Sequence, residues 1–125
     1  MDNEKISVLV VEPEKKPYAK EISSGLSSLQ HEVGGYIQAV YPWDDPVALV
    51  CDEEGLLKQY AFNRLVAPEV AIFGTCFICG LGEEDFADLP EAMIEKYAAL
   101  LHTPQALVRT PMGVIAIPMD AEFAE

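Results

Sequence analysis

Residues 33–63 read VGGYIQAVYPWDDPVALVCDEEGLLKQYAFN, and the way this stretch folds decides where everything else goes. Gly34-Gly35 stops a helix, because glycine takes the positive φ that a helix C-terminus needs. The next residues alternate, with Ile37, Ala39 and Tyr41 on one face and Tyr36, Gln38 and Val40 on the other. That period of two is a strand signature. Pro42-Trp43-Asp44-Asp45-Pro46 holds two prolines and is no tight two-residue turn. Val47 to Cys51 is a solid apolar strand. Asp52-Glu53-Glu54-Gly55 suits a type I turn with glycine left-handed, reversing the chain into Leu56-Leu57-Lys58. The stretch is a ribbon onto which the other elements pack.

Upstream, Ile6-Ser7-Val8-Leu9-Val10-Val11 is apolar at nearly every position and reads as a central strand buried on both faces. Pro13 and Pro17 bracket a loop. From Ala19 to Val33 the spacing of Ile22, Leu26, Leu29 and Val33 predicts a helix closed by Gly34. Downstream, Tyr60 to Val66 is irregular, with Asn63 and Arg64 near its centre. Pro68 breaks the chain, and Val70 to Cys79 forms a fourth main strand. Gly74 inside it marks a bulge or a close backbone approach. Pro90 fits the first turn of a second helix, with Met93, Ile94, Tyr97, Leu100 and Leu101 as its apolar stripe and Pro104 beyond its end.

The expected fold class is therefore α+β. It is a single layer of about four strands, mostly antiparallel, with two helices on one face in the order β-α-β-β-β-α. The first two strands, joined by a helix, are expected to be parallel. Residues 1–104 form the domain. Residues 105–125 are an extension, with a short edge strand at Val114-Ile115-Ala116-Ile117 and a loose tail from Met119.

Composition narrows the function. The chain has 125 residues, half of them hydrophobic, enough for a sizeable core. Eight basic against 21 acidic residues give a net charge of −13. Such a surface repels DNA, RNA and anionic membrane, which need Lys and Arg to neutralise phosphate. The N-terminus lacks a basic n-region, and the apolar run after it is too short for a signal peptide or a span, so a cytoplasmic location is expected. Three cysteines fit a reducing compartment.

Chemistry is sparse. Cys76-Phe77-Ile78-Cys79 is a CxxC, but on a strand positions three apart face opposite ways, so inert buried thiols are the commoner reading. His31 and His102 both sit near helix ends, and no nucleophile motif accompanies them. Neither glycine-rich place has a nucleotide-binding spacing. No catalytic residue, metal or cofactor is expected. The acidic residues form clusters at Asp44-Asp45, Asp52-Glu53-Glu54 and Glu83-Glu84-Asp85. A net charge of −13 matches that of about 22 Å of duplex, so a DNA-mimicking inhibitor is electrostatically open. Ordinary solubility is the commoner reading of such charge.

Leu29-Gln30, Val33-Gly34-Gly35-Tyr36-Ile37, Asp52-Glu53-Glu54-Gly55, Asn63, and Ile72-Phe73-Gly74-Thr75 with Gly80 resemble domain-of-unknown-function family 3846. The resemblance runs from Ile6 to Tyr97. It implies a small protein of bacterial mobile elements such as conjugative transposons, plasmids and phages, with no established activity to carry over.

The expectation is a non-enzymatic accessory domain that acts through a protein partner, with Trp43, Asp44, Asp45, Glu53, Glu54 and Asn63 as its contact surface. The alternatives are an acidic DNA mimic, with Glu84, Asp88 and Glu91 completing one negative face, and a small enzyme or ligand-binding domain. Direct nucleic-acid or membrane binding is not expected, and a homo-oligomer is left open.

Overall fold

A computed structural model describes residues 5–68, 70–83 and 85–119. It is built mostly of strands. Ten strands and two helices occur among the described residues. In chain order they are β1 (Lys5–Val11), β2 (Tyr18–Ser23), α1 (Leu26–Val33), β3 (Ile37–Val40), β4 (Val47–Asp52), β5 (Phe62–Ala67) and β6 (Val70–Phe73). There follow β7 (Cys76–Leu81), β8 (Phe86–Ala87), α2 (Glu91–Leu100), β9 (Gln105–Thr110) and β10 (Gly113–Pro118). None of the helices is long and apolar enough to cross a membrane.

The main sheet runs β2-β1-β7-β4-β3, with β8 added beside β7. Every pairing in it is antiparallel. Two separate hairpins, β5-β6 and β9-β10, complete the fold. This overturns the single four-strand layer. Its strand count was too low, and its helices do not share a face. Leu29 and Val33 of α1 pack with Val8, Val10, Val50, Phe77 and Cys79 on one side of the sheet. Tyr97 and Leu101, at the end of α2, pack with Leu9, Val11, Leu49, Cys76 and Ile78 on the other. The β5-β6 hairpin joins that second layer through Val66 and Ile72. An antiparallel strand covered on both faces must be apolar at successive positions, which is why β1, β4 and β7 carry unbroken hydrophobic runs. Val8, Leu9, Val10 and Val11 are indeed fully buried.

The predicted helix from Ala19 divides in two. Tyr18–Ser23 pairs residue for residue with β1, from Val10↔Tyr18 to Lys5↔Ser23, as an antiparallel neighbour. The strand after the helix, β3, was expected parallel to β1; it lies at the far edge of the sheet and, across three antiparallel pairings through β7 and β4, runs opposite to it. Ile22 is buried in the sheet, and Leu26, which should have continued the stripe, is exposed. The four-three-four spacing was a coincidence of two elements, and the pairing with β1 outweighed it. Gly34 does close α1 in the left-handed region, at φ 95°, its N–H donating to the Gln30 carbonyl.

The stretch read as irregular is a strand, and it carries a buried guanidinium. Arg64 has no exposed surface. Its Nε donates to Asn63 Oδ1 at 2.8 Å, Nη1 to the Leu101 carbonyl, and Nη2 to the Glu12 and Lys15 carbonyls at 3.1 and 2.6 Å. Asn63 in turn donates to the Val11 and Gly74 carbonyls. Burial pushes the Arg64 pKa below its usual value. Only its fork of donors can serve so many carbonyls at once. The pair thus ties β5 to the loop after β1, to the bend before β7 and to the end of α2.

Replacing Arg64 with Ala should cost about 3–5 kcal/mol, because it leaves several buried acceptors unpaired and opens a void. Arg64→Lys should recover less than half of that loss, since a single ammonium cannot span the same acceptors. Urea denaturation of the three proteins checks both; an Arg64→Ala loss below about 1 kcal/mol would show that the clamp is dispensable.

Candidate functional site

The predicted contact residues do not form one surface. Trp43 is turned inward: its ring lies 4.5 Å from that of Tyr97, and its indole N–H donates to the Val66 carbonyl at 3.3 Å. It is a lid over the α2 side of the core, as large amphipathic rings at a rim tend to be. Asp45 is engaged too, accepting from Lys96 Nζ and Tyr97 Oη, each at 2.6 Å. Those two donors hold its carboxyl below the usual carboxylate range. Asn63 is fully buried in the Arg64 clamp and cannot touch a partner, which corrects its placement on the contact surface. Asp44, Glu53 and Glu54 are exposed.

The acidic residues also fail to make one face. Asp44-Asp45 precede β4 and Glu53-Glu54 follow it, so the strand's own length, roughly 17 Å for its six residues, separates the two clusters. Lys96 and Lys58 stand among them, on Asp45 and Asp52. Asp88 is occupied by the Ser7 N–H at 2.8 Å. Glu84 lies outside the described residues. A row of free carboxylates spaced like phosphates is what a DNA mimic needs, and these interruptions break it.

The motif residues 52–55 build something else. Asp52 is buried, and its Oδ1 caps the turn by accepting from the Glu54 N–H at 2.8 Å. Its Oδ2 meets Lys58 Nζ at 2.8 Å. Burial by itself would raise the Asp52 pKa; Lys58, the Glu54 N–H and the Tyr60 hydroxyl outweigh it and hold the carboxyl low. The chain does not reverse at once into a strand, and Gly55 is not left-handed; Gln59, at φ 62°, takes that conformation instead. Gly55 is required by proximity, since a Cβ there would lie 2.6 Å from the Phe73 carbonyl oxygen.

Tyr60 explains two more glycines. Its hydroxyl donates to the Gly34 carbonyl at 3.2 Å. A Cβ at Gly74 would lie 2.4 Å from the Tyr60 ring, and Gly74 has φ 88°. The close approach expected at Gly74 is therefore real, and it cuts the predicted long strand into β6 and β7.

Beside this knot lies an open groove of about 380 Å³. Gln38 and Val40 of β3 form one wall, Val70, Ile72 and Phe73 of β6 the other, and Cys51, Asp52, Glu53 and Leu56 close one end. The sequence reading missed it, because the β6 wall was assigned to a strand in the main sheet. Alternation did place Gln38 and Val40 on a common face. Both flanking strands keep an unpaired edge among the described residues. Leu56, Leu57 and Tyr36 at this end of the molecule are 67%, 81% and 70% exposed. The Cys51 thiol is pushed up by burial and by neighbouring Asp52, which makes it a poor nucleophile. Cys76 and Cys79 are buried in opposite core clusters, so their sulfurs diverge as a strand requires; burial pushes Cys79 up to about 12.

A family profile described as Domain of unknown function (DUF3846) matches residues 6–102, and the chain belongs to that family. Neither the curated proteins nor the solved structures gave a match. The matched region ends before β9, so the β9-β10 hairpin stands outside it.

The Asp52–Lys58 pair makes a pH prediction. A lowered folded pKa gives stability that is present above the unfolded carboxylate value and lost as pH falls through the folded one. In Lys58→Met, the buried carboxyl loses its cation and desolvation dominates, so its pKa should rise above the unfolded value. Its contribution then reverses sign, becoming favourable at low pH and lost as pH rises. Between about pH 6 and pH 4 the variant should therefore close part of its stability gap to the parent. Urea midpoints at the two pH values test this; a gap that widens on acidification contradicts it.

Proposed function

We propose, from this family membership and the open groove, that the domain is a non-enzymatic protein-interaction module that takes an extended peptide segment between β3 and β6. The carrying observation is the groove itself, an apolar trough between two strands with unpaired edges. An extended peptide laid there gains main-chain hydrogen bonds from an edge, while its alternate side chains enter the trough. The exposed carboxylates of Glu53 and Glu54 at one end favour a segment with Lys or Arg beside its apolar residues. We include in this same reading an accessory role on a bacterial mobile element.

The chemistry of the groove favours binding over catalysis. Of the titratable groups that line the groove, Asp52 is committed to Lys58 and Cys51 to the core, which leaves the exposed Glu53 carboxylate with no second group converging on it. Catalysis instead needs groups with matched pKa values converging on an open point.

An eight-residue peptide alternating valine and lysine is a suitable probe. Titrated into ¹⁵N-labelled protein, it should shift amides of Gln38 to Val40 and Ala71 to Phe73 together. Glu53→Gln and Glu54→Gln should each weaken binding about 2- to 5-fold at low salt, the range of an exposed charge pair. Shifts that instead follow the exposed Asp44, or turnover of a small molecule by the purified protein, would count against the module.

A further inference from the structure

The β9-β10 hairpin is chemically unlike the rest of the chain. Residues 105–118, QALVRTPMGVIAIP, hold no Asp or Glu and a single charge, Arg109, in a protein with 21 acidic residues. Its apolar side chains are not stored in a core. Leu107, Val108, Val114, Ile115 and Ile117 are all exposed, and Met112 at the tip is 94% exposed. The register puts them on both faces. Val108↔Ile115 and Ala106↔Ile117 lie on one face; Leu107↔Ala116 and Arg109↔Val114 lie on the other. A lone two-stranded hairpin is marginal in water, and exposed apolar area on both sides makes it more so.

One edge of the hairpin is anchored. The Leu65 N–H of β5 donates to Gln105 Oε1 at 3.0 Å; the Met119 N–H, donating to the Pro104 carbonyl at 2.9 Å, closes the hairpin's own base. The outer edge of β10 pairs with nothing among the described residues. Proteins usually blunt such an edge with lysine, proline, an inward charge or a bulge; β10 carries only Pro118, at its last position, and Val114–Ile117 hold none of these.

We propose that β10 pairs antiparallel with β10 of a second copy of this chain, about a two-fold axis, to make a four-stranded ribbon. Charge selects this occupant. A basic partner would be drawn to the carboxylates elsewhere, whereas the hairpin offers an uncharged apolar strand, and a second copy supplies the same surface by symmetry. The geometry also separates the two acidic bodies, because each attaches on the β9 side. With strands about 4.8 Å apart, the two β9 strands stand about 14 Å apart. That exceeds the screening length of about 8 Å at physiological salt. The pairing uses a different surface from the β3-β6 groove, so the two readings stand or fall separately.

Sedimentation equilibrium on the full chain reads this directly. At 0.15 M NaCl and micromolar concentration the mass should be twice that of the 13.7 kDa chain. Lowering salt to 0.01 M, where screening reaches about 30 Å, should weaken the dimer at least tenfold. Ile115→Lys combined with Ile117→Lys should give a monomer with an unchanged circular dichroism spectrum. Independently of any variant, isotope-filtered NOEs in a mixed labelled sample should join Ile115 and Ile117 methyls of different copies. A monomer at 0.15 M NaCl, a dimer untouched by the double variant, or one tightened at low salt overturns the pairing. So does a dimer without NOEs between copies at β10.

Discussion

The fold depends on one buried cation. Arg64 sits on a short hairpin that has little core of its own, and its guanidinium is satisfied by backbone carbonyls and by Asn63. Because those carbonyls come from the loop after β1 and from the end of α2, the clamp fixes the β5-β6 hairpin against the sheet and beside α2. Charge is held here by dipoles, without a carboxylate partner among the described residues, in a chain otherwise crowded with acid. Burying a cation costs free energy, which the hydrogen bonds offset only if they are all made. The site therefore resists partial opening, and it positions the β6 wall of the groove.

The groove is what remains when the rest is closed. α1 covers one face of the sheet fully enough to bury Val8, Val10 and Val50. On the other face, α2 and the β5-β6 hairpin share the cover, and they stop short of β3. Trp43 seals the end nearest α2. At the other end, the turn holding Asp52 and Gly55 lies against Phe73. Gly34, Gly35, Gly55 and Gly74 of the family pattern are thus spacing residues around Tyr60, Asp52 and Phe73, while Gly80 lies against the Asp88 carbonyl.

Central strands were readable in the sequence because burial on two faces forces an uninterrupted apolar run, as in residues 6–11 and 47–51. The end of α1 was readable because Gly34 is a local signal. What failed needed tertiary knowledge. Tyr18–Ser23 is a strand only because β1 pairs with it. Asn63 and Arg64 looked like loop residues, since their partners are carbonyls distant in sequence. The break at Gly74 follows from the Tyr60 ring, which no local pattern reveals. The groove inherited that error, since its β6 wall had been read as part of a longer strand. The second hairpin, β9-β10, was read as a tail with one short strand, because its apolar residues have no core to face.

Native-state amide hydrogen exchange, resolved by residue, measures the central claim most directly. Amides of β1, β4 and β7, with those of β5 flanking Arg64, should exchange together at the slowest, globally limited rate. Amides on the open edges of β3 and β6 should exchange orders of magnitude faster. A β5-β6 hairpin that exchanges freely while β4 stays protected would contradict the clamp. Protection along both groove edges equal to that of β4 would show that the groove is closed.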